Sequence, residues 1–222
     1  MQPPLIFVDR VQAGQFLAKE LAAFRPDNPV ILALPRGGVP IAVEVAQELG
    51  ARVEVLGVKK ITLPSNPELA VAAVTEDGTF ELNDSVIDHF NLSPTQIRSL
   101  IKKATKQAKI IGFKFRGTRS LPIFADKTVI VADDGLATGM TALATARFLK
   151  NQRAAKIIFA APVCAAASIK QLSEVYHDVV CTLKPEYFTT VGNWYTDFSP
   201  VGDDEVHRIL DSFTEIQSAG AA

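Results

Sequence analysis

Long apolar runs are missing from this sequence: none of its 222 residues lies in a stretch approaching the roughly 20 apolar residues that cross a bilayer. The opening MQPPLIFVDR has no basic segment followed by a long apolar core, so no secretory leader is expected and the cytoplasm is the expected location. Cysteine is scarce. Cys164 and Cys181 stand in apolar, strand-like surroundings without a CxxC or Cys/His ligand spacing, and both are expected as buried thiols. Histidine is scarce too, and His89, His177 and His207 show neither metal nor triad spacing, which assigns them structural roles. Net charge is nearly absent, 23 Lys and Arg against 24 Asp and Glu, so no whole-protein field favours nucleic acid or an anionic membrane. Two nucleotide fingerprints are lacking as well: neither GxGxxG nor GxxxxGK[ST] occurs, which disfavours NAD binding and ATP hydrolysis.

What is present is enough apolar material for a core, 48% hydrophobic residues against 21% charged, in a length that suits one α/β domain over residues 1–222. Asp9 is a candidate cap for a first helix running to Arg25-Pro26, with Ala13, Leu17, Leu21 and Phe24 near helical spacing. PVILALP reads as a buried strand, RGGVP as a turn, and IAVEVAQELG as a helix closed by Gly50. A second strand, ARVEVLGV, leads into Lys59-Lys60. Two apolar runs around Asp77-Gly78 predict a hairpin. From Pro94, apolar residues recur at i, i+3, i+4 and i+7 as far as Phe115, the pattern of a long amphipathic helix. Its polar face is basic: no Asp or Glu occurs between Asp88 and Asp126, although Arg98, Lys102, Lys103, Lys106, Lys109, Lys114, Arg116 and Arg119 do. Beyond it strands and helices alternate, through KTVIVAD, an Ala-rich helix, AKIIFAAPV, a helix near 165–172 and DVVCTL. An irregular segment and a terminal helix to about Ile216 follow. The order predicts a doubly wound, mostly parallel sheet flanked by helices, with ligand sites at the carboxyl ends of its strands.

One such end reads VIVADDGLATGMTA, residues 129–142. Gly135 and Gly139 let the backbone approach an anion, the amides opening the next helix point outward, and Thr138 and Thr141 add hydroxyls, with Leu136, Ala137 and Met140 completing the turn. Asp133 and Asp134 would repel a phosphate there. Two adjacent carboxylates instead accept hydrogen bonds from two vicinal hydroxyls, so a phosphate beside a diol, as in ribose 5-phosphate, suits the loop. Taken alone, Asp-Asp-Gly equally describes a magnesium site or the cap of a structural turn. The turn LPRGGVP is a second candidate anion site, with Gly37 and Gly38 exposing amides and Arg36 supplying charge.

Four apolar residues, two acidic ones and a small-residue turn ending Thr-Gly-x-Thr resemble the phosphoribosyl pyrophosphate signature of type I phosphoribosyltransferases. The resemblance extends over most of the chain and puts LPRGGVP where that family has its pyrophosphate loop, often with a non-proline cis peptide, here Pro35-Arg36. It implies transfer of a 5-phosphoribosyl group to a nitrogenous base, with Mg2+ bridging the sugar diol and the pyrophosphate. Asp133 and Asp134 then hold the ribose and reach the metal largely through substrate or water. The family frequently sets a basic residue from the neighbouring strand end against pyrophosphate, which selects Lys60. Residues 62–121 resemble its variable, mobile loop insertion, LPSNPELAVAAV looks like an uncharacterised subgroup, and Arg116 or Arg119 is a candidate polyphosphate ligand on a helix that otherwise reads as solvated. Residues 184–202 stand where the family has its hood. KPEYFTTVGNWYTDF distantly resembles the 6-oxopurine enzymes, which implies Lys184 at an exocyclic oxygen, Trp194 or Tyr195 stacked on a base, and Asp197 near pyrophosphate or metal, although residues inserted around Trp194 break the register. Membership also implies a homo-oligomer. The alternatives are a regulatory protein sensing phosphoribosyl pyrophosphate or nucleotides on the same fold, and an enzyme acting on another phosphorylated ribose.

Overall fold

In the computed structural model, which describes residues 5–63 and 66–220, the core is a five-stranded parallel sheet. Its strands are β1 (Val30–Ala33), β2 (Arg52–Val55), β6 (Thr128–Ala132), β7 (Lys156–Val163) and β8 (Asp178–Leu183), in the order β2-β1-β6-β7-β8. Val30–Ala33 lies in register with Val129–Ala132, and both strands are buried on both faces, as apolar runs without alternation require. Alternate residues feed two cores. Ile31, Ala33, Ile130, Ala132, Ile158 and Ala160 meet α1 (Arg10–Leu21), α2 (Gly38–Leu49) and α7 (Asp203–Gly220). Val30, Leu32, Val129, Val131, Ile157 and Phe159 meet α5 (Met140–Asn151), with Leu172 of α6 (Ala166–Leu172) in the same cluster.

Local signals set the helix ends. The Asp9 carboxylate accepts from the Gln12 amide at 2.8 Å and starts α1, which passes into a 3-10 turn over Ala22–Asp27 instead of continuing to Pro26. A capping box between Ser93 and Gln96, with Pro94 in the first turn, starts α4 (Pro94–Arg116), and Gly117 at φ +62° ends it.

The apolar run ARVEVLGV is not one strand. The chain leaves the main sheet at Leu56-Gly57 and enters a second, antiparallel sheet of β3 (Val58–Leu63), β4 (Asn66–Thr75) and β5 (Phe80–Leu82). Lys59 and Lys60 therefore lie inside β3 and not at the end of a strand in the main sheet. The reason is steric: a Cβ at Gly57 would overlap the Ala108 carbonyl of α4, so a glycine is needed where the helix crosses the switch between sheets. The β4-β5 hairpin turns at Asp77-Gly78, as its sequence implies, with Gly78 at φ +96° and the Asp77 carboxylate accepting from Thr75 and Thr79. A short α3 (Asp84–His89), not anticipated from the pattern, precedes α4. The terminal helix runs past Ile216 to Gly220, while residues 221–222 and two positions of LPSNPELAVAAV lie outside the described residues.

The two cysteines are buried as expected, but they are not thiols: Cys164 and Cys181 form a disulfide, with Cα atoms 6.3 Å apart. Cys164 follows the last residue of β7 and Cys181 lies in adjacent β8, so neighbouring parallel strands bring together residues 17 apart. Among the described residues no helix is long and apolar enough to cross a membrane.

Candidate active site

The site grows from the carboxyl ends of β1, β6 and β7. After β6 the chain keeps pairing with β7 for one residue, Asp133 N to Ala160 O at 3.2 Å, and is pinned again at Leu136, which exchanges hydrogen bonds with Val163 and Ala165, each at 2.8 Å. Between these anchors the chain must turn. Leu136 and Met140 are buried, so only their main chain is available to a ligand, whereas Ala137 and Thr138 are exposed. Gly139, at φ +73°, precedes α5, and no side chain caps that helix. The first amides of such a helix lack intrahelical partners, and helix amino termini of this kind, here beside Thr138 and Thr141, are suited to an anion.

The second turn lies against the first. The Pro35-Arg36 peptide is cis, at the position the resemblance indicated. A Cβ at Gly37 would overlap Asp134 Oδ2, and one at Gly38 would come within 2.5 Å of Ala132 O. These glycines permit close approach of the two turns. The Gly38 amide donates to Leu34 O at 3.0 Å, so it is not the exposed donor that the sequence suggested.

Asp133 and Asp134 sit between the turns in unequal surroundings. Asp134 Oδ2 accepts from Arg10 Nε at 2.9 Å, in a pair whose side chains are 11% and 17% exposed, and its carbonyl accepts from the Tyr195 hydroxyl at 2.6 Å. Arg10 in turn lies 4.0 Å over the Phe198 ring and donates to Ser199 O. Asp133 makes no ion pair among the described residues; its Oδ1 accepts from the Asp134 amide at 2.9 Å. Burial, reinforced by the charge of Asp134, pushes the Asp133 carboxyl well above the usual carboxylate range. Burial also raises Asp134, against the pull of Arg10. Arg10 is the residue that sequence reasoning missed, because nothing local links it to a loop 124 residues away.

Arg36, Lys59, Lys60, Lys114 and Thr141 line one cavity of about 530 Å³, closed on its apolar side by Pro35, Val58, Ile110, Ile111 and Phe115. Among the described residues it contains one acid, Asp203, which bonds both Arg36 (Nε to Oδ1, 2.7 Å) and Lys114. Arg116 is elsewhere: it forms a bidentate pair with Glu76 and donates to Val55 O, fixing α4 to the switch between sheets, while exposed Arg119 donates to the Arg116 carbonyl. A groove of about 660 Å³ beside Asn28, Arg52 and Lys127 lies at the opposite, amino-terminal end of the strands.

The segment over residues 184–202 covers the other side of the loop. Val191 packs so closely on Gly135 that a Cβ there would overlap it. Trp194 is half-buried against the α1/α2 core, and its carbonyl accepts from the Phe7 amide. Tyr195 is buried, with its hydroxyl engaged by Asp134. Lys184 is exposed beyond β8. Asp197 lines a small cleft with Asp9, Arg10 and Glu205, and hydrogen bonds from Ser199 hold its carboxyl below its ordinary value. None of Lys184, Trp194 and Asp197 lines the 530 Å³ cavity.

Among the described residues no cluster of three or more His, Cys, Asp or Glu side chains forms a metal cage. The donors at hand are the carboxylates of Asp133 and Asp134, the latter engaged by Arg10, which suits a hydrated divalent cation that brings most of its ligands with the substrate.

Comparison with known proteins agrees with this layout. The model of the phosphoribosyl transferase domain matches residues 8–199. A protein of Mycobacterium tuberculosis, present in two strains and named "Putative phosphoribosyl transferase", is 36% identical over 217 residues, 97% of this chain and 49% of the relative. The chain thus spans about half the length of the curated relatives it matches. The crystal structure of TT1426 from Thermus thermophilus superposes with a TM-score of 0.74 at 31% identity, over 96% of this chain and 99% of that one. AQ2163 from Aquifex aeolicus shares the fold at a TM-score of 0.51 and 15% identity, over 82% of this chain and 78% of that one. With the signature loop, the second glycine turn and the acidic pair assembled at one end of the sheet, the chain belongs to the phosphoribosyl transferase domain family.

Proposed function

We propose that this protein transfers the 5-phosphoribosyl group of phosphoribosyl pyrophosphate to a nitrogenous base of the purine class, releasing pyrophosphate. The observation that carries the reading is the contact of two glycine turns across an acidic pair, with Gly37 against Asp134 and Gly38 against Asp133. In this reading the turn 137–141 receives the 5-phosphate. The ribose hydroxyls donate to Asp133, and to whatever acceptor capacity Arg10 leaves on Asp134. Arg36 and Lys60 face the pyrophosphate. As the bond from the anomeric carbon to pyrophosphate breaks, positive charge grows on the ribose, and the acidic pair stabilises it in a site that needs no reorganisation. Mg2+, when bound, neutralises charge on the leaving pyrophosphate. Lys184 and Trp194 are the base contacts proposed for the hood, with Asp197 beside the metal or pyrophosphate. The assembly is a homo-oligomer in this reading.

Thermal melting with Mg2+ and phosphoribosyl pyrophosphate tests it. Saturation at about one hundred times Kd adds about 2.7 kcal/mol, or roughly 5–10 °C for a chain of this size. Purine nucleoside monophosphates are expected to stabilise more than pyrimidine ones. No shift with the donor at millimolar concentration would overturn the assignment.

A further inference from the structure

The cavity between the second glycine turn and α4 has more positive charge than the assigned roles use. Arg36, Lys59, Lys60 and Lys114 line it, and Asp203 is its one acid among the described residues. Asp203 is the first residue of α7, and its two carboxylate oxygens are divided between Arg36 from the turn after β1 and Lys114 from the last turns of α4. Neither cation has another carboxylate partner among the described residues. The side chains of Arg36, Lys114 and Asp203 are 55%, 47% and 27% exposed, so packing does not lock the triad, and exposed ion pairs of this kind contribute little to stability. An arginine and a lysine converging on adjacent oxygens of one anion is also how proteins hold phosphate groups.

We propose that Lys114 binds the pyrophosphate of the donor together with Arg36, and that Asp203 is a resident carboxylate that occupies this anion position until the donor displaces it. The proposal rests on the donor assignment made above. A pyrophosphate carries several negative charges and outcompetes a single carboxylate for the two cations. When pyrophosphate departs, Asp203 returns, so the same side chain weakens donor binding and hastens product release. This also gives the basic helix a ligand contact through Lys114, one turn from the cavity-lining Ile110 and Ile111.

Asp204 and Glu205 remain in the first turn of α7 when Asp203 is neutralised, so the helix keeps its favourable amino-terminal charge and the variant is expected to fold. Calorimetry with Mg2+ and inorganic pyrophosphate, phosphoribosyl pyrophosphate or ribose 5-phosphate is to be run on wild type, Asp203→Asn and Lys114→Gln, each checked by circular dichroism and melting. Asp203→Asn is expected to lower the Kd for pyrophosphate about three- to tenfold, and Lys114→Gln to raise it about tenfold. Ribose 5-phosphate, which lacks the pyrophosphate, should change less than about twofold in either variant. Unchanged or weakened pyrophosphate binding in Asp203→Asn, or equal losses for both ligands in Lys114→Gln, overturns the proposal alone. A wild type that binds neither phosphoribosyl pyrophosphate nor ribose 5-phosphate overturns the donor assignment first.

Discussion

Asp133 and Asp134 are chemically identical neighbours that burial raises alike, but among the described residues a cation is bonded to Asp134 alone. Asp133 is surrounded by protein and by the charge of Asp134, with no cation bonded to it, and its carboxyl binds a proton more tightly in the folded chain than in the unfolded one. Its ionised form therefore opposes folding at pH values above the unfolded-state value, and the penalty is relieved as pH falls through the raised one. Asp133→Asn is expected to raise the melting temperature, by about 2–4 °C for each kcal/mol of relieved repulsion, while weakening donor binding by about 2–3 kcal/mol. Melting and calorimetry on the same variant check this, and a lower melting temperature would refute it. Asp134→Asn is expected to cost about 3 kcal/mol even though burial raises that carboxyl too, because nearly buried Arg10 is left without its counter-charge.

The elements that sequence reasoning identified are those whose signal is local. α4 announced itself by its apolar period from Pro94; the β4-β5 hairpin by Asp77-Gly78; the signature loop by its order of residue types. What stayed hidden depends on residues meeting from a distance. The unbroken apolar run through Leu56-Gly57 conceals a change of sheet that only the crossing of α4 over Gly57 explains. Strand adjacency decides the pairing of Cys164 with Cys181, and their 17-residue separation alone does not suggest it. In the same way Arg116, plausible on paper as an anion ligand, is instead one half of the ion pair with Glu76 that holds α4 down. Gly57→Ala should therefore push α4 from the sheet edge and destabilise the protein by about 1–3 kcal/mol in urea unfolding. A stability within about 0.5 kcal/mol of wild type would mean that the helix has room to shift.

Across the whole molecule, the carboxyl end of the sheet joins residues from early and late in the sequence. Phe7 pairs with Tyr195, Thr196 and Asp197 donate to Phe7 and Val8, and the same segment leads through Asp9 to Arg10 and its partner Asp134. Donor binding should therefore slow hydrogen exchange at the Thr196 and Asp197 amides as well as in the turn 137–141, and protection confined to the turn would argue against this coupling. The Phe7–Tyr195 bridge has a consequence for biosynthesis. Residue 195 is added 188 residues after residue 7, which at ribosomal speeds of about 5–20 residues per second takes roughly 10–40 s. Through that interval Arg10 can approach the acidic pair once β6 has emerged, but the strip that fastens it there has not been made. The nascent chain thus carries both glycine turns well before it carries the brace that sets Asp134 in place, and the site matures only after the strip around Tyr195 has left the ribosome.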